Sequence, residues 1–297
     1  MPVTDRSNAA STGLFNLEDD CWSEPLLAAA EIEASLLPEV RESGVVIGEL
    51  IGDVAARTGL PAGLPVCNAI GDNQAAVLGS VPAGESALQI NVGTGGQVNW
   101  PVPRYQRVSG MDTRYLPLSR YLLVGAGAAG GAAYAWVGET VAQWRDAFAI
   151  GSTTGSDRDS VFERLNELAA DVPDDADGLI CEPFFRGTRR DPDARGRFAG
   201  INAGNFSPGH VARAVLNGIA AALSAFYEQA GDQRPQTVTR IIGSGNGLRS
   251  NPLLTATIAR VFQRDVWLPE HREEAGSQTG VWPTLEAAGE CIRLRRA

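Results

Sequence analysis

Four stretches of the chain place residues able to move protons or hold anions at sharp bends. In Gly71-Asp72-Asn73-Gln74 a carboxylate follows the apolar run 66–70. A carboxylate at the end of a strand suits a general base that takes a hydroxyl proton, an assistance worth roughly 10²–10⁴-fold. The same residue could instead cap a helix, so two roles stay open for Asp72. Gly93-Thr94-Gly95-Gly96 lies between two alternating runs, 88–92 and 97–100. Without side chains a phosphate can approach backbone donors there, and Thr94 adds a hydroxyl; a plain hairpin turn is the alternative. The cluster 125–131, with Gly127 and Gly130, ends a strand and opens a helix. Its N–H groups suit a phosphate, and its glycines equally suit close helix–strand packing. No acidic residue follows at the dinucleotide spacing. Last, Gly243, Gly245, Asn246 and Gly247 form a strand end against which a flat ring could lie. Asn251 before Pro252 reads as a helix cap, which need not exclude contact with that ring.

The composition limits the chemistry these bends can do. The 297 residues contain no lysine, which excludes a Walker-A loop, a protein-kinase strand lysine and Schiff-base chemistry. A net charge of −10 argues against nucleic acid but not against a nucleotide. The four cysteines, Cys21, Cys67, Cys181 and Cys291, form no CxxC pair, so neither a metal nor a disulfide role is expected. No signal peptide or 18-residue apolar run is visible, and a cytoplasmic protein without a membrane partner is expected.

The elements that must position the bends follow from periodicity and turn residues. Helical spacing is read over 22–37, a short apolar piece over 45–51, a turn over 59–65 and a buried strand over 66–70. An Ala-rich helix starts at 71, and 80–85 reads as a connection between domains. Strands at 88–92 and 97–100 make a hairpin, and a third at 121–124 leads into a helix to about 148. A polar loop at 151–159 precedes a helix over 161–170, a strand over 179–185, an arginine-rich loop over 186–197 and a strand over 198–201. A long helix begins at Ser207 and Pro208, with Val211, Val215, Ile219, Ala222 and Phe226 on one face. A strand over 238–242, a helix from Asn251 to 262 and a strand over 265–268 complete the pattern. Three strands followed by alternating helices and strands is the plan of a ribonuclease H-like, actin-like ATPase domain in the α/β class.

In that order the motifs resemble the FGGY family of carbohydrate kinases over nearly the whole chain. Thr4-Asp5, Ser7-Asn8-Ala9 and 12–15 resemble a segment near the end of that family's first domain. Gly71-Asp72-Asn73-Gln74 is similar to its catalytic motif, which implies Asp72 as base and Asn73 as a sugar contact. The run 91–96 resembles its phosphate strand–turn, implying nucleotide contacts from Gly93, Thr94 and Gly95, with Thr94 near the transferred phosphate. Residues 125–131 resemble its next nucleotide loop, implying Gly127 and Gly130, and 186–196 its arginine-bearing loop. Residues 242–252 resemble its adenine-side loop, implying Gly243, Gly245, Asn246, Gly247 and Asn251, and the Gly-Ser-Gly-Asn form is similar to that of sedoheptulokinases.

The resemblance implies ATP and Mg²⁺ as cofactors, no protein-held metal, and transfer of a phosphoryl group from ATP to a ketose hydroxyl, with sedoheptulose expected. It also implies a remnant of the family's N-terminal domain over 1–79 and one complete C-terminal, nucleotide-binding domain over 84–297. The family's Asp-x-Gly-Thr phosphate loop is absent, and about ten residues look deleted after Ala275. Phosphoryl transfer is mostly positioning and charge stabilisation from both sides of a cleft. Little or no turnover by this chain alone is therefore expected, as is self-association or pairing with a separately encoded N-terminal domain. A non-catalytic partner subunit is the competing reading. An actin-like structural ATPase fits less well, because 71–74 and 186–196 resemble sugar kinases.

Overall fold

The computed structural model describes residues 2–81, 87–118, 120–148, 158–188, 191–235, 237–269 and 294–296. The first part carries β1 (Val3–Asp5), α1 (Arg6–Ser11), β2 (Phe15–Asn16), β3 (Cys21–Trp22) and α2 (Glu24–Ala29), followed by β4 (Glu39–Arg41), β5 (Val46–Glu49), α3 (Gly52–Thr58), β6 (Pro65–Cys67) and α4 (Asp72–Ser80). Its strands pair two by two: β1 with β4, β2 with β3, β5 with β6.

Two expectations change in this part. The helix read over 22–37 spans only Glu24–Ala29, because Glu31 takes φ +55° and Leu36 is 73% exposed. A short amphipathic pattern does not hold a helix without an apolar surface to dock on. The strand read over 66–70 stops at Cys67 and is exposed along its length. The chain turns there because Asn68 is drawn inward, its amide donating to the carbonyls of Thr4, Arg41 and Glu42, each at 3.1 Å.

The second part carries β7 (Ala87–Val92), β8 (Gly95–Val102), β9 (Asp112–Leu116), β10 (Arg120–Ala129), α5 (Gly131–Ala147) and α6 (Arg158–Ala170). It continues with β11 (Ile180–Glu182), β12 (Arg197–Ala199), α7 (Pro208–Gln229), β13 (Arg240–Ser244), α8 (Asn246–Ser250), α9 (Pro252–Phe262), β14 (Val266–Pro269) and β15 (Leu294–Arg296). Seven strands form one mixed sheet in the order β15-β14-β13-β7-β8-β10-β9. The hairpin β7–β8 and its neighbours β10 and β9 are antiparallel, whereas β13 runs parallel to both β7 and β14.

The opening run therefore has four antiparallel strands, in the order β7-β8-β10-β9, rather than the three expected. β9 escaped the periodicity because only Tyr115 and Leu116 of its five residues are buried. β10 continues through the glycine cluster to Ala129, with an irregularity between Ala126 and Ala128 where Gly127 takes φ +94°. β11 and β12 leave the main sheet and pair with each other. Residues 151–157 of the polar loop, 82–85 of the connection and the apparent deletion after Ala275 fall outside the described residues, and the loop's last two residues already belong to α6.

The core lies on one face of the sheet. Leu88, Ile90, Val98 and Trp100 pack against α7, whose buried stripe is Ala212, Val215, Leu216, Ile219, Ala220 and Leu223. The stripe is rotated from the one expected: Val211, Ala222 and Phe226 lie half-buried at its margin. α9 adds Leu254 and Ile258. On the opposite face a small cluster, Leu116, Leu122 and Val124, is covered by Val77 from α4.

A buried polar ladder joins α4 to the sheet. Asn99 Nδ2 donates to Gln89 Oε1 at 2.9 Å, and Gln89 Nε2 donates to Ser80 Oγ at 3.0 Å. All three side chains are at most 1% exposed. Replacing Gln89 with Leu leaves Asn99 Nδ2 without its acceptor and Ser80 Oγ with only a long bond to Val77 O, and each buried unsatisfied group costs about 1–3 kcal/mol. We expect Gln89→Leu to lower the thermal midpoint by several degrees, at roughly 2–4 °C per kcal/mol. Adding Ser80→Ala should recover part of that loss; a full, additive loss in a calorimetric comparison would show that the ladder is not a unit.

Candidate active site

The hairpin turn between β7 and β8 is held from below by the start of α5. Gly131 N–H donates to Gly93 O at 2.8 Å, Ala132 N–H to Thr94 O at 3.0 Å, and Ala133 N–H to Gly130 O at 2.9 Å. The first N–H groups of α5, read from the sequence as phosphate donors, thus already have protein acceptors. Their effect on an anion is indirect: they fix the turn that carries Thr94 and Gly95, both of which are exposed.

Close approach explains the glycines beneath. A Cβ at Gly130 would lie 2.6 Å from Gly95 O, and one at Gly131 would lie 2.7 Å from Gly93 O. Gly93 differs, since a Cβ there meets nothing within 4 Å. Thr94, Gly95, Gly127 and Gly130 share a cavity of about 200 Å³ with Pro183, Phe185, Arg186 and Gly187. This is smaller than the roughly 300–1,000 Å³ of pockets that enclose a drug-sized ligand. Its lining suits a phosphate chain: backbone without obstructing Cβ atoms, one hydroxyl and the exposed guanidinium of Arg186. The sequence marks 186–196 as an arginine-bearing loop without singling out Arg186, although an arginine-rich loop in a chain without lysine is a signal for it.

The strand end of β13 packs tightly on β7. Gly245 has φ +84°, and a Cβ would meet Val92 O at 2.6 Å and Asn91 Oδ1 at 2.8 Å. A Cβ on Gly247 would meet Val92 Cγ1 at 2.7 Å, and one on Gly243 would press on Leu248, Leu268 and Val266. Asn246, exposed at the first position of α8, presents its side chain to solvent. Asn251 caps α9: its Oδ1 accepts from Leu254 N–H at 3.0 Å, and its Nδ2 donates to Asn166 Oδ1 at 3.1 Å. Asn166 also accepts from the hydroxyl of Tyr134 at 2.6 Å, and burial raises that phenol above the usual tyrosine range. Asn251 thereby ties α9 to α6 and α5, a contact the sequence did not indicate. The structure brings Thr94, Gly95, Gly127 and Gly130 to one cavity; Gly243, Gly245, Asn246, Gly247 and Asn251 lie outside its lining.

Asp72 is the first residue of α4, and the N-cap position belongs to Gly71. Its carboxylate is exposed, and Oδ1 accepts from Asn73 N–H at 2.6 Å. An acidic group in the first turn of a helix is electrostatically favoured. Asn73 Nδ2 is buried without a hydrogen-bond partner, as a donor awaiting a ligand oxygen would be. Among the described residues no group of three or more His, Cys, Asp or Glu could hold a metal ion. A magnesium ion commonly takes one or two carboxylates and otherwise travels with substrate phosphates, which this surface can accommodate. No described helix is long and apolar enough to cross a membrane.

Comparison with known proteins covers both parts of the chain. Residues 2–79 match the model of the FGGY family of carbohydrate kinases, N-terminal domain, and residues 88–277 match the C-terminal domain of the same family. A glycerol kinase of Trichlorobacter lovleyi is 32% identical over 299 residues, spanning 94% of this chain and 55% of that protein. The xylulose kinase structure from Rhodospirillum rubrum aligns with TM-score 0.83 at 26% identity, covering 99% of this chain and 59% of that one. The ligand-bound xylulose kinase from Lactobacillus acidophilus gives the same TM-score at 22% identity, again covering 99% and 59%. The chain thus spans a little over half the length of these proteins. The fold is the ribonuclease H-like, actin-like fold expected from the strand order together with the glycine clusters at strand ends. The names of these relatives give no support to the sedoheptulokinase likeness read from 243–246.

Proposed function

This chain belongs to the FGGY family of carbohydrate kinases, and from that premise we propose that it serves an ATP-dependent transfer of phosphate to an alcohol group of a polyol or ketose. The observation that carries the reading is the phosphate-sized cavity in which Thr94, Gly95, Gly127 and Gly130 meet Arg186. The turn 93–95 and Gly127 receive the phosphate chain of ATP, and Asn246 with the 243–251 edge lies on the adenine side. Arg186 counters charge that grows on the transferred group, and fixed charge aimed at that point is a large term in such reactions. Asp72 accepts the acceptor hydroxyl's proton, and Asn73 Nδ2 donates to a second hydroxyl. Magnesium, carried with the nucleotide, neutralises phosphate charge.

The kinases to which the chain is similar support glycerol or xylulose ahead of sedoheptulose as acceptor. We read residues 1–79 as part of the acceptor-binding domain and 84–297 as the nucleotide domain. A second reading, a subunit that works with a further lobe of the same family, is favoured by exposed apolar side chains on Val46, Ile51, Leu60 and Val66.

The test is ADP release with Mg-ATP and glycerol, xylulose or sedoheptulose, beside calorimetric titration with ATP. Weak acceptor-dependent release, larger with glycerol or xylulose, is expected. ATP binding without release favours the second reading, and absence of both overturns the kinase assignment.

A further inference from the structure

Asp5 ends β1 and is 0% exposed. Every group aimed at its carboxylate is a donor. Oδ2 accepts from Ser7 N–H at 2.8 Å, from the Ser43 hydroxyl at 2.9 Å and from the Ser7 hydroxyl. Oδ1 accepts from the N–H of Asn8 at 3.3 Å and from the Asn8 side-chain amide. A buried carboxylate is tolerated when surrounded in this way, and charge-assisted hydrogen bonds are the strong ones.

The consequence lies one bond further on. With its proton directed at Asp5, the Ser7 oxygen is left as an acceptor, and it takes the N–H of Gly71 at 2.7 Å. Gly71 is the N-cap residue of α4 and has no side chain with which to cap; Asp72 follows it directly. A Cβ on Gly71 would lie 3.1 Å from Ser7 Oγ and 2.7 Å from Gln74 Oε1. The approach of α1 to the first turn of α4 thus depends on the glycine and on the serine together.

We propose that Asp5 and Ser7 are positioning residues for Asp72: the buried carboxylate orients the Ser7 hydroxyl, and that hydroxyl fixes the backbone from which the Asp72 side chain projects. This rests on the reading of Asp72 as the base. The other contacts of α4 described above, Val77 on Leu116, Leu122 and Val124 and Ser80 with Gln89, lie beyond its first turn. Small displacements of a reacting group weigh heavily on rate, which is why the effect belongs on turnover rather than on substrate affinity.

The test uses the full chain with Ser7→Ala, Ser7→Thr and Asp5→Asn. Ser7→Ala deletes one oxygen, and Ser7→Thr keeps it. Asp5→Asn turns an amide donor toward groups that are themselves donors. Residue-resolved amide exchange should show Gly71 N–H exchanging at least tenfold faster in Ser7→Ala, with β7 and β8 unchanged and Ser7→Thr close to the unaltered protein. Where turnover is measurable, kcat should fall about tenfold or more in Ser7→Ala with KM for the acceptor within twofold, and Ser7→Thr should restore it. Unchanged exchange at Gly71, or faster exchange throughout the chain, overturns the proposal. If the unaltered protein turns over none of the three acceptors, the reading of this chain as a kinase on its own fails separately and the exchange result alone decides the relay. Should Asp5→Asn not fold, the serine pair still decides.

Discussion

Exchanging Asp72 for Asn should lower turnover by roughly 10²–10⁴-fold while leaving ATP affinity and the melting temperature nearly unchanged. The substitution keeps the shape and the hydrogen bond to Asn73 N–H but removes the proton acceptor. Asp72 is exposed, so no packing is lost. The favourable interaction of a carboxylate with the helix start is only about 0.3–1 kcal/mol. The measurement is steady-state ADP release with the best acceptor, beside an ATP titration of both proteins. A variant that retains half or more of the activity would remove Asp72 from the chemistry. Equal losses of ATP affinity and turnover would place it on the nucleotide instead.

The second large effect concerns stability. Gly245→Ala should cost about 3 kcal/mol or more, for two reasons that act together. Backbone at φ +84° and ψ 157° is open almost only to glycine, and occupying it otherwise costs of order 1–3 kcal/mol. The added methyl would also lie 2.6 Å from Val92 O, and overpacking of this kind typically costs about 1–3 kcal/mol. Val92 cannot retreat, because β7 is held between β13 and β8 in the middle of the sheet. At roughly 2–4 °C per kcal/mol the midpoint should fall by about 6–12 °C. Gly93→Ala is the contrast, since its Cβ meets nothing within 4 Å; it should keep the midpoint and weaken ATP. If Gly245→Ala were as stable as the unaltered protein and lost only nucleotide, its glycine would serve ligand approach rather than packing.

These two glycines show how far the sequence could be read. The glycine clusters lie at or near strand ends as read, and alternation marked the β7–β8 hairpin, because period-2 patterning follows from burial of one face. Composition cannot tell a glycine that admits a ligand from one that admits another backbone. Gly93 and Gly245 look alike in the sequence, and only the third dimension separates them. β9 was invisible because its apolar content is two residues at one end. The helix over 22–37 was overcalled for the opposite reason: its periodicity is good, but nothing apolar faces Leu36. Within the proposed site, Asp72, Asn73 and Thr94 come from short motifs. Arg186 was noticed only as part of a basic loop. The link from Asp5 through Ser7 to Gly71 spans 64 residues between serine and glycine, and no local pattern announces a contact of that range.

The unequal faces of the sheet set the order in which the molecule should come apart. One face rests on α7 and α9 through a continuous apolar core, while the other is covered over a few side chains, Leu116, Leu122 and Val124, by Val77. Regions with few buried apolar contacts open at a fraction of the global free energy. Residues 2–81 would then lift away as one cooperative unit well before the sheet melts. A protease present in trace amounts would sample that opening and leave the seven-stranded sheet intact. Asp72 travels with the part that lifts, so the earliest damage on warming would fall on the proposed proton acceptor, while the cavity at Thr94 and Arg186 persists.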